Sequence, residues 1–170
     1  GGPPDGNSPG DSVARSPADV AVVTDRDVIL GNQNALVTII EYGDYQCPAC
    51  ASFDPIVRKI MEEYGDKIQL VSRNFPLEQH KNATSSASSA ESAGKQGKFF
   101  EMQEKLYSGQ LDWANETNPS EIFKKYAEEL NLDINRFLAD INLPEVTNKI
   151  ASDLQSGKDS GVNSTPSFFL

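Results

Sequence analysis

A nearly continuous apolar run at residues 35–42 leads directly into two cysteines, and this succession constrains the fold more than any other feature. The run contains Ala-Leu-Val-Thr-Ile-Ile-Glu-Tyr, and a Gly-Asp pair ends it. Such a run is typical of a strand that is buried on both faces of a parallel or mixed sheet. We therefore predict a central strand that ends just before Cys47-Pro48-Ala49-Cys50.

An amphipathic helix is predicted directly after the cysteines. Its apolar side chains recur with the spacing of one helical face, namely Phe53, Ile56, Val57, Ile60, Met61 and Tyr64. Gly65 is a natural helix end, and Pro55 inside the run predicts a kink. Residues 68–75 then alternate between apolar and polar and predict a second strand. The order strand, helix, strand is a βαβ unit.

The rest of the chain predicts a block of helices followed by one returning strand. Helical patterns run from about residue 80 to residue 160, including a tract of alanine and serine at 83–93. Residues 167–170 predict the returning strand, residues 20–23 a short edge strand, and residues 25–34 a turn region. Helices inserted between strands of one sheet make an α/β domain with a helical insertion.

Composition limits the domain count and the classes of partner. A chain of 170 residues fits one domain, and a formal net charge of −10 argues against nucleic acid and anionic membranes as partners. Of the 12 glycines and 10 prolines, 8 lie in the first 19 residues. We therefore predict a flexible linker at residues 1–18 and one domain at residues 19–170. No cofactor is expected.

The two cysteines carry the candidate chemistry. Cys47 falls where the strand ends and the helix begins, and the free N–H groups and partial positive charge of a helix N-terminus favour a thiolate. Cys47 should therefore have a lowered pKa and be the attacking sulfur. Cys50 lies one turn further into the helix and would resolve the mixed disulfide formed at Cys47.

Two other interpretations of the cysteine pair stay open at this point. Half of a zinc site would need two further ligands, and the chain has no third cysteine and only one histidine, His80. A purely structural disulfide is the second interpretation. It would stabilise the fold weakly, because a loop this short removes little entropy from the unfolded chain.

Three segments resemble the DsbA-like thioredoxin-fold disulfide oxidoreductases. They are residues 38–50 around the cysteines, residues 97–102 (Gly-Lys-Phe-Phe-Glu-Met) and residues 161–169 around Thr165-Pro166. The resemblance implies a thioredoxin fold with a helical insertion between the βαβ unit and a cis-proline strand. In that family an edge strand and a C-terminal helix follow the cis-proline strand. Both are missing from these 170 residues.

The resemblance also assigns roles to residues around the cysteines. It implies a cis peptide bond at Thr165-Pro166 that faces the cysteine pair. Thr165 would pair through its backbone with an extended substrate, as in strand addition. Pro48, Ala49 and Pro166 would complete the surface that binds the substrate.

Two ionisable residues are further candidates. Glu41 is the one ionisable residue of the predicted buried strand, so burial should raise its pKa. In the DsbA-like family an acid six residues before the first cysteine helps proton exchange with the buried cysteine, and Glu41 has this offset from Cys47. His80 resembles a family histidine at the start of the first inserted helix, which caps or packs.

The chemistry and the resemblance together predict a thiol:disulfide oxidoreductase that donates a disulfide to folding secreted proteins. The implied partners are reduced or unfolded secreted proteins and a membrane quinone-linked reoxidant of the DsbB or VKOR type. We expect an extracytoplasmic protein, in the periplasm or at the cell surface, tethered by an N-terminal membrane anchor that this sequence does not include. Two alternatives remain: a reductase or isomerase of the same fold, and a non-catalytic module that binds peptides.

Overall fold

One four-stranded mixed sheet organises the domain. The computed structural model of the protein describes residues 22–170. Its strands are β1 (Val28–Gly31), β2 (Val37–Gly43), β3 (Ile68–Asn74) and β4 (Ser167–Phe169). Their order across the sheet is β1-β3-β2-β4; β2 runs parallel to β3, while β1 and β4 are antiparallel to their neighbours. The prediction of an α/β domain is confirmed.

The predicted βαβ unit forms the centre of this sheet. Strand β2 lies between β3 and β4, which explains its nearly continuous apolar sequence. Cys47 is the N-cap of helix α1 (Pro48–Tyr64), and Pro48 occupies the first turn, where no N–H is needed. Strand β3 then returns parallel to β2.

The helical insertion forms the second layer of the domain and holds most of the core. Its helices are α2 (Ala83–Gly94), α3 (Phe99–Ser108), α4 (Gln110–Trp113), α5 (Ser120–Glu129), α6 (Ile134–Asp140) and α7 (Pro144–Asp159). The largest fully buried side chains of this layer are Trp113, Phe137, Met102 and Leu106. These helices occupy residues 83–159, between β3 and β4. Among the helices described, none combines the length and the apolarity that crossing a bilayer requires.

Helix α2 is buried on nearly all sides, because its side chains are small. Its buried residues are alanines and serines, with Glu91 as the one exception. The Ser86 hydroxyl donates to the carbonyl oxygen of Asn82 at 2.8 Å, and the Ser89 hydroxyl to that of Ser85 at 3.0 Å. These two serines thus satisfy their hydroxyls on backbone carbonyls one turn earlier, whereas the buried Ser92 hydroxyl has no hydrogen-bond partner among the described residues. The small side chains let α2 pack closely against α3 and α7.

The edge strand lies later in the chain than predicted. Strand β1 falls within the segment that was predicted to be a turn region, while Val22 and Val23 lie outside any strand. Residues 20 and 21, and the linker predicted at residues 1–18, lie outside the described residues. An ion pair of 2.9 Å between buried Asp27 and Arg73 of β3 fixes the entry into β1.

The apolar face of α1 is less buried than its periodicity predicted. Met61 is buried, but Phe53, Ile56 and Tyr64 are 44%, 55% and 44% exposed. Phe168 packs on Phe53 with the two ring centroids 6.0 Å apart, and this part of α1 is otherwise open to solvent within residues 22–170. Together with Ile39, Val57, Ile60, Met61 and the end of β4, Phe53 and Ile56 line a surface groove of about 300 Å³, which we call the apolar groove.

Candidate active site

The two cysteines lie at the junction between β2 and α1 and differ in their access to solvent. Both are free thiols; Cys47 is 7% exposed and Cys50 is fully buried. The Cys47 thiol donates to the carbonyl oxygen of Thr165 at 3.5 Å. An incoming sulfur can therefore reach Cys47 first, with Cys50 held behind it.

The segment around Thr165 and Pro166 faces the cysteines, as the resemblance implied. The peptide bond between the two residues is cis, so this prediction is confirmed. Both residues are half-buried, whereas Pro48 and Ala49 at the start of α1 are exposed. The residues predicted to bind substrate thus surround the sulfur of Cys47 on two sides.

Burial dominates the electrostatics of Cys50. Desolvation raises the pKa of its thiol, and the neighbouring Cys47 raises it further. The backbone of Asp44 and the side chain of Thr165 act in the opposite direction and lower the pKa of this thiol. Burial therefore makes deprotonation of Cys50 costly, and a nearby group that can take the proton would assist it.

Glu41 is a candidate for that group. The residue is 5% exposed in β2, and the pKa of its carboxyl is raised to about 7, with desolvation as the main cause. The charge of Asp54 contributes to this rise in the pKa, while that of Arg58 opposes it. The Tyr107 hydroxyl and Oε1 of Glu41 both lie beside Gly43, at 2.9 Å and 3.7 Å from the position that a Cβ on this glycine would take. Burial and the charge of Glu41 raise the pKa of Tyr107. The raised pKa predicted for Glu41 agrees with this geometry, and its role in proton exchange stays a prediction.

The loop before Cys47 is held by amide side chains that the sequence analysis missed. Gln110 is buried, and its Nε2 donates to the carbonyl oxygens of Tyr45 at 2.6 Å and of Cys47 at 3.0 Å. The Gln46 side chain accepts from the N–H of Asn82 at 2.7 Å, and the Asn82 amide donates to carbonyl oxygens at the end of α4. These contacts join residues far apart in the chain, so no local pattern indicates them.

His80 lies beside the same loop and contacts Asp44. Its Nδ1 is 2.7 Å from Oδ2 of the Asp44 carboxylate, which is fully buried. In the part of the chain that the structure describes, no group of histidine, cysteine and acidic side chains could hold a metal ion. The zinc interpretation of Cys47 and Cys50 therefore finds no further ligands there.

A dithiol at a strand–helix junction opposite a cis-proline is the arrangement of thiol–disulfide oxidoreductases built on the thioredoxin fold. A family model described as Thioredoxin matches residues 23–170. The chain therefore belongs to the thioredoxin family.

The solved structures that this chain resembles include DsbA-like proteins. The chain is 27% identical to α-DsbA1 of Wolbachia pipientis, with a TM-score of 0.77 over 87% of this chain and 76% of that one. It is also 27% identical to a thioredoxin-like oxidoreductase from Silicibacter pomeroyi DSS-3, with a TM-score of 0.73 over 86% and 80%. These matches confirm the predicted thioredoxin-like fold and the resemblance to DsbA-like proteins, and they support an oxidoreductase.

Curated relatives carry the same kind of domain within much longer proteins. The chain is 38% identical over 152 residues to the Na⁺/H⁺ antiporter NhaA 1 of Salinispora arenicola, which covers 89% of this chain and 22% of the relative. A relative of the same name from Mycobacterium sp. (strain KMS) is 34% identical over 151 residues. The chain spans about a quarter of the length of these relatives.

Proposed function

We propose that the protein donates a disulfide to folding secreted proteins through Cys47 and Cys50. The observation that carries the proposal is the geometry of the dithiol. Cys47 is the outer sulfur at the start of α1 and contacts the carbonyl oxygen of Thr165, while Cys50 is buried behind it. The similarity to α-DsbA1 supports the proposal.

The reaction would proceed by two thiol–disulfide exchanges. A substrate thiolate attacks the Cys47 sulfur of the oxidised pair, and Cys50 leaves as a thiolate that takes a proton from Glu41. A second substrate thiolate then attacks the substrate sulfur of the mixed disulfide and releases Cys47. Two electrons pass from the substrate to the pair, and the substrate gains a disulfide.

Substrate binding would use the surface around Cys47. An extended segment of the substrate pairs with the backbone of Thr165, and Pro48, Ala49 and Pro166 form the contact surface beside it. Main-chain hydrogen bonds of this kind depend little on sequence, which suits an enzyme that accepts many unfolded chains.

The proposed partners and location follow from the direction of the reaction. A disulfide donor works where disulfides persist, so we place it outside the cytoplasm, in the periplasm or at the cell surface. Its substrates would be reduced secreted proteins. A membrane quinone-linked protein of the DsbB or VKOR type would reoxidise the pair after each cycle, and a membrane anchor would keep the domain near this partner.

The test is transfer of the disulfide to a reduced, unfolded protein. We expect the oxidised protein to remove two free thiols from the substrate per molecule, and Cys47→Ser to remove none. No transfer at stoichiometric amounts would overturn the proposal. Peptide binding that survives in Cys47→Ser without any transfer by the wild type would favour a binding module.

A second measurement separates the donor from a reductase or isomerase. The redox equilibrium of the pair against glutathione reports its reduction potential. We expect a potential well above that of thioredoxin, which is about −270 mV. A potential near the thioredoxin value would contradict the proposed direction and favour a reductase.

A further inference from the structure

The buried amide of Gln110 supports the turn that carries Cys47 at two points. The residue is 6% exposed, and its Nε2 donates to the carbonyl oxygen of Tyr45 at 2.6 Å and to that of Cys47 at 3.0 Å. A primary amide has two N–H donors, so both hydrogen bonds can form at once. The two carbonyl oxygens lie on either side of Gln46, so Gln110 holds the backbone directly before the reactive sulfur.

Helix α4, which carries Gln110, is itself held by hydrogen bonds. The indole of the buried Trp113 donates through Nε1 to the carbonyl oxygen of Leu106 at 2.9 Å. The Asn82 amide donates to the carbonyl oxygens of Trp113 at 3.2 Å and of Ala114 at 3.1 Å. Gln110 therefore belongs to a segment with little freedom to shift, which keeps its N–H donors in one direction.

The position of the turn determines where the Cys47 sulfur lies. The sulfur is 3.5 Å from the carbonyl oxygen of Thr165, across the active site. The Cys47 carbonyl also accepts from the N–H of Ala51 at 3.2 Å, and Gln110 adds a hydrogen bond from the helical insertion. The N–H groups of Gln110 offset the partial negative charge of two carbonyl oxygens close to the sulfur, which favours a thiolate there.

We propose that Gln110 is a positioning residue for Cys47, through which the helical insertion controls the reactivity of the outer sulfur. The inference rests on the proposed thiol–disulfide exchange at Cys47 and Cys50. Two hydrogen bonds to the backbone hold the sulfur opposite Thr165 and offset nearby negative charge. Loss of these two hydrogen bonds should therefore make the pair a weaker oxidant and its outer thiol slower to react.

Gln110→Met tests the first consequence, because methionine has nearly the length of glutamine but no N–H donor. The measurement is the equilibrium with glutathione, in which two glutathione thiols reduce the protein disulfide and form one glutathione disulfide. Two electrons and two protons pass from glutathione to the cysteine pair. A loss of stability that the oxidised and reduced forms share cancels in this equilibrium, so a merely structural residue would not change it.

We expect the equilibrium constant for reduction of the pair to fall about fivefold in Gln110→Met, which corresponds to the loss of one ordinary hydrogen bond. The direction follows from the charge at the turn. Without the amide donors the carbonyl oxygens disfavour the thiolate of the reduced form. An unchanged constant in the folded variant would overturn the inference.

Alkylation of the reduced protein by iodoacetamide tests the second consequence. The Cys47 thiolate attacks the reagent, a sulfur–carbon bond forms, iodide leaves, and the thiol proton goes to the solvent. Cys50 is fully buried, so the early reaction reports on Cys47. We expect Gln110→Met to react about fivefold more slowly than the wild type at neutral pH. Equal rates in the two folded proteins would overturn the inference.

Gln110→Glu decides the question if Gln110→Met fails to fold. The side chain keeps its length, and burial beside carbonyl oxygens favours its protonated form, which can donate to one of them. Ionisation removes that donor and places a negative charge beside both carbonyl oxygens. We expect the alkylation rate, relative to that of the wild type, to fall as the pH rises. A ratio that is independent of pH would overturn the inference.

Gln103→Met is the matched control. Gln103 is also a buried amide, but its Nε2 donates to side chains, namely the Ser72 hydroxyl at 3.1 Å and the Tyr45 hydroxyl at 3.5 Å. We expect this variant to lose stability and to keep the glutathione equilibrium and the alkylation rate of the wild type. Changes equal to those in Gln110→Met would overturn the inference, because loss of any buried amide would then explain them.

The alkylation experiment needs no disulfide exchange, so it separates this inference from the proposed function. A wild type that transfers no disulfide to an unfolded protein would overturn the proposed function. Slower alkylation of Gln110→Met would still support the positioning of the Cys47 sulfur by Gln110.

Discussion

Glu41 is a buried residue whose carboxyl group can titrate close to the pH at which the cysteines react. Its carboxyl has a raised pKa of about 7, so it exchanges protons near neutral pH. Replacing it by glutamine keeps the shape but removes the titratable group. We expect Glu41→Gln to slow the decay of mixed disulfides and to flatten its dependence on pH around pH 7, with little change in the reduction potential.

The measurement is the rate of mixed-disulfide decay between pH 5 and pH 9 in wild type and variant, a range of about two units on either side of the pKa of Glu41. Overlapping profiles would show that Glu41 does not exchange protons with the cysteine pair. Glu128→Gln is a suitable control, because Glu128 is an exposed residue of α5, whereas the charges that shift the pKa of Glu41 are those of Asp54 and Arg58.

Glu41→Gln should also change the stability of the fold, by an amount that depends on pH. Burial raises the pKa of Glu41 from 4.5 to about 7, so the folded state binds more protons than the unfolded state between these values. The destabilisation by Glu41 is absent below pH 4.5, grows as the pH rises, and is complete above pH 7. We expect Glu41→Gln to be more stable than wild type by roughly 3 kcal/mol at pH 8 and equal to it at pH 4.

Urea unfolding at the two pH values measures this difference. A stability gain of the same size at pH 4 and pH 8 would contradict the argument, because it would not depend on ionisation of the carboxyl. A loss at both values would show that the glutamine packs poorly in β2.

At the scale of elements, Gly157 fixes how closely α7 approaches the sheet. A Cβ at this position would lie 2.6 Å from a ring atom of Phe75 and 3.0 Å from one of Tyr42. Alanine is normally the better helix former by about 1 kcal/mol. We nevertheless expect Gly157→Ala to lower the free energy of unfolding by about 1–3 kcal/mol, because the methyl group overpacks the contact.

Denaturant unfolding measures the free energy of unfolding of Gly157→Ala and of wild type. Asn148→Ala is the control, because Asn148 is an exposed residue of the same helix. The control should raise stability by a few tenths of a kcal/mol through propensity alone, about the difference between asparagine and alanine in a helix. A gain in stability for Gly157→Ala would mean that α7 can move away from the sheet at little cost.

At the scale of the whole molecule, the apolar groove beside α1 and β4 leaves apolar side chains of residues 22–170 open to solvent. Apolar surface of this kind binds anilinonaphthalene sulfonate, whose fluorescence rises in apolar surroundings. We expect the folded 170-residue chain to bind the dye and Ile56→Lys to reduce the signal at least by half. Leu111→Lys is the control, because Leu111 is 92% exposed but lies outside the groove. Equal signals in the two variants would contradict binding in the groove.

Local signals predicted much of this molecule from its sequence. The apolar run, the cysteine spacing and the helical periodicity located β2, α1 and the dithiol, because each depends on neighbours in the chain. Strand β1 was missed, since it is only four residues long and turn residues such as Gly31 and Asn32 follow its apolar core. The periodicity of α1 identified an apolar face correctly, but periodicity carries no information on whether another element covers that face.

The environment of the dithiol was less predictable than the dithiol itself. Gln110 contacts a carbonyl oxygen 63 residues earlier in the chain, and Asp44 meets His80 across 36 residues. Such contacts depend on how the helical insertion packs on the βαβ unit, and polar residues in loops show no period that would indicate a partner. The cis peptide bond was predicted only through the family resemblance.

The small side chains of α2 have a consequence for how this sequence can change over generations. Because Ala87, Ala90 and Ala93 are buried between neighbouring elements, substitutions there should be accepted only among alanine, serine and glycine, whatever the demands of the reaction. The exposed face of α5, by contrast, should vary freely. A mutational scan selected for folding alone should therefore show α2 as the least tolerant helix of the insertion, even in a variant that lacks both cysteines.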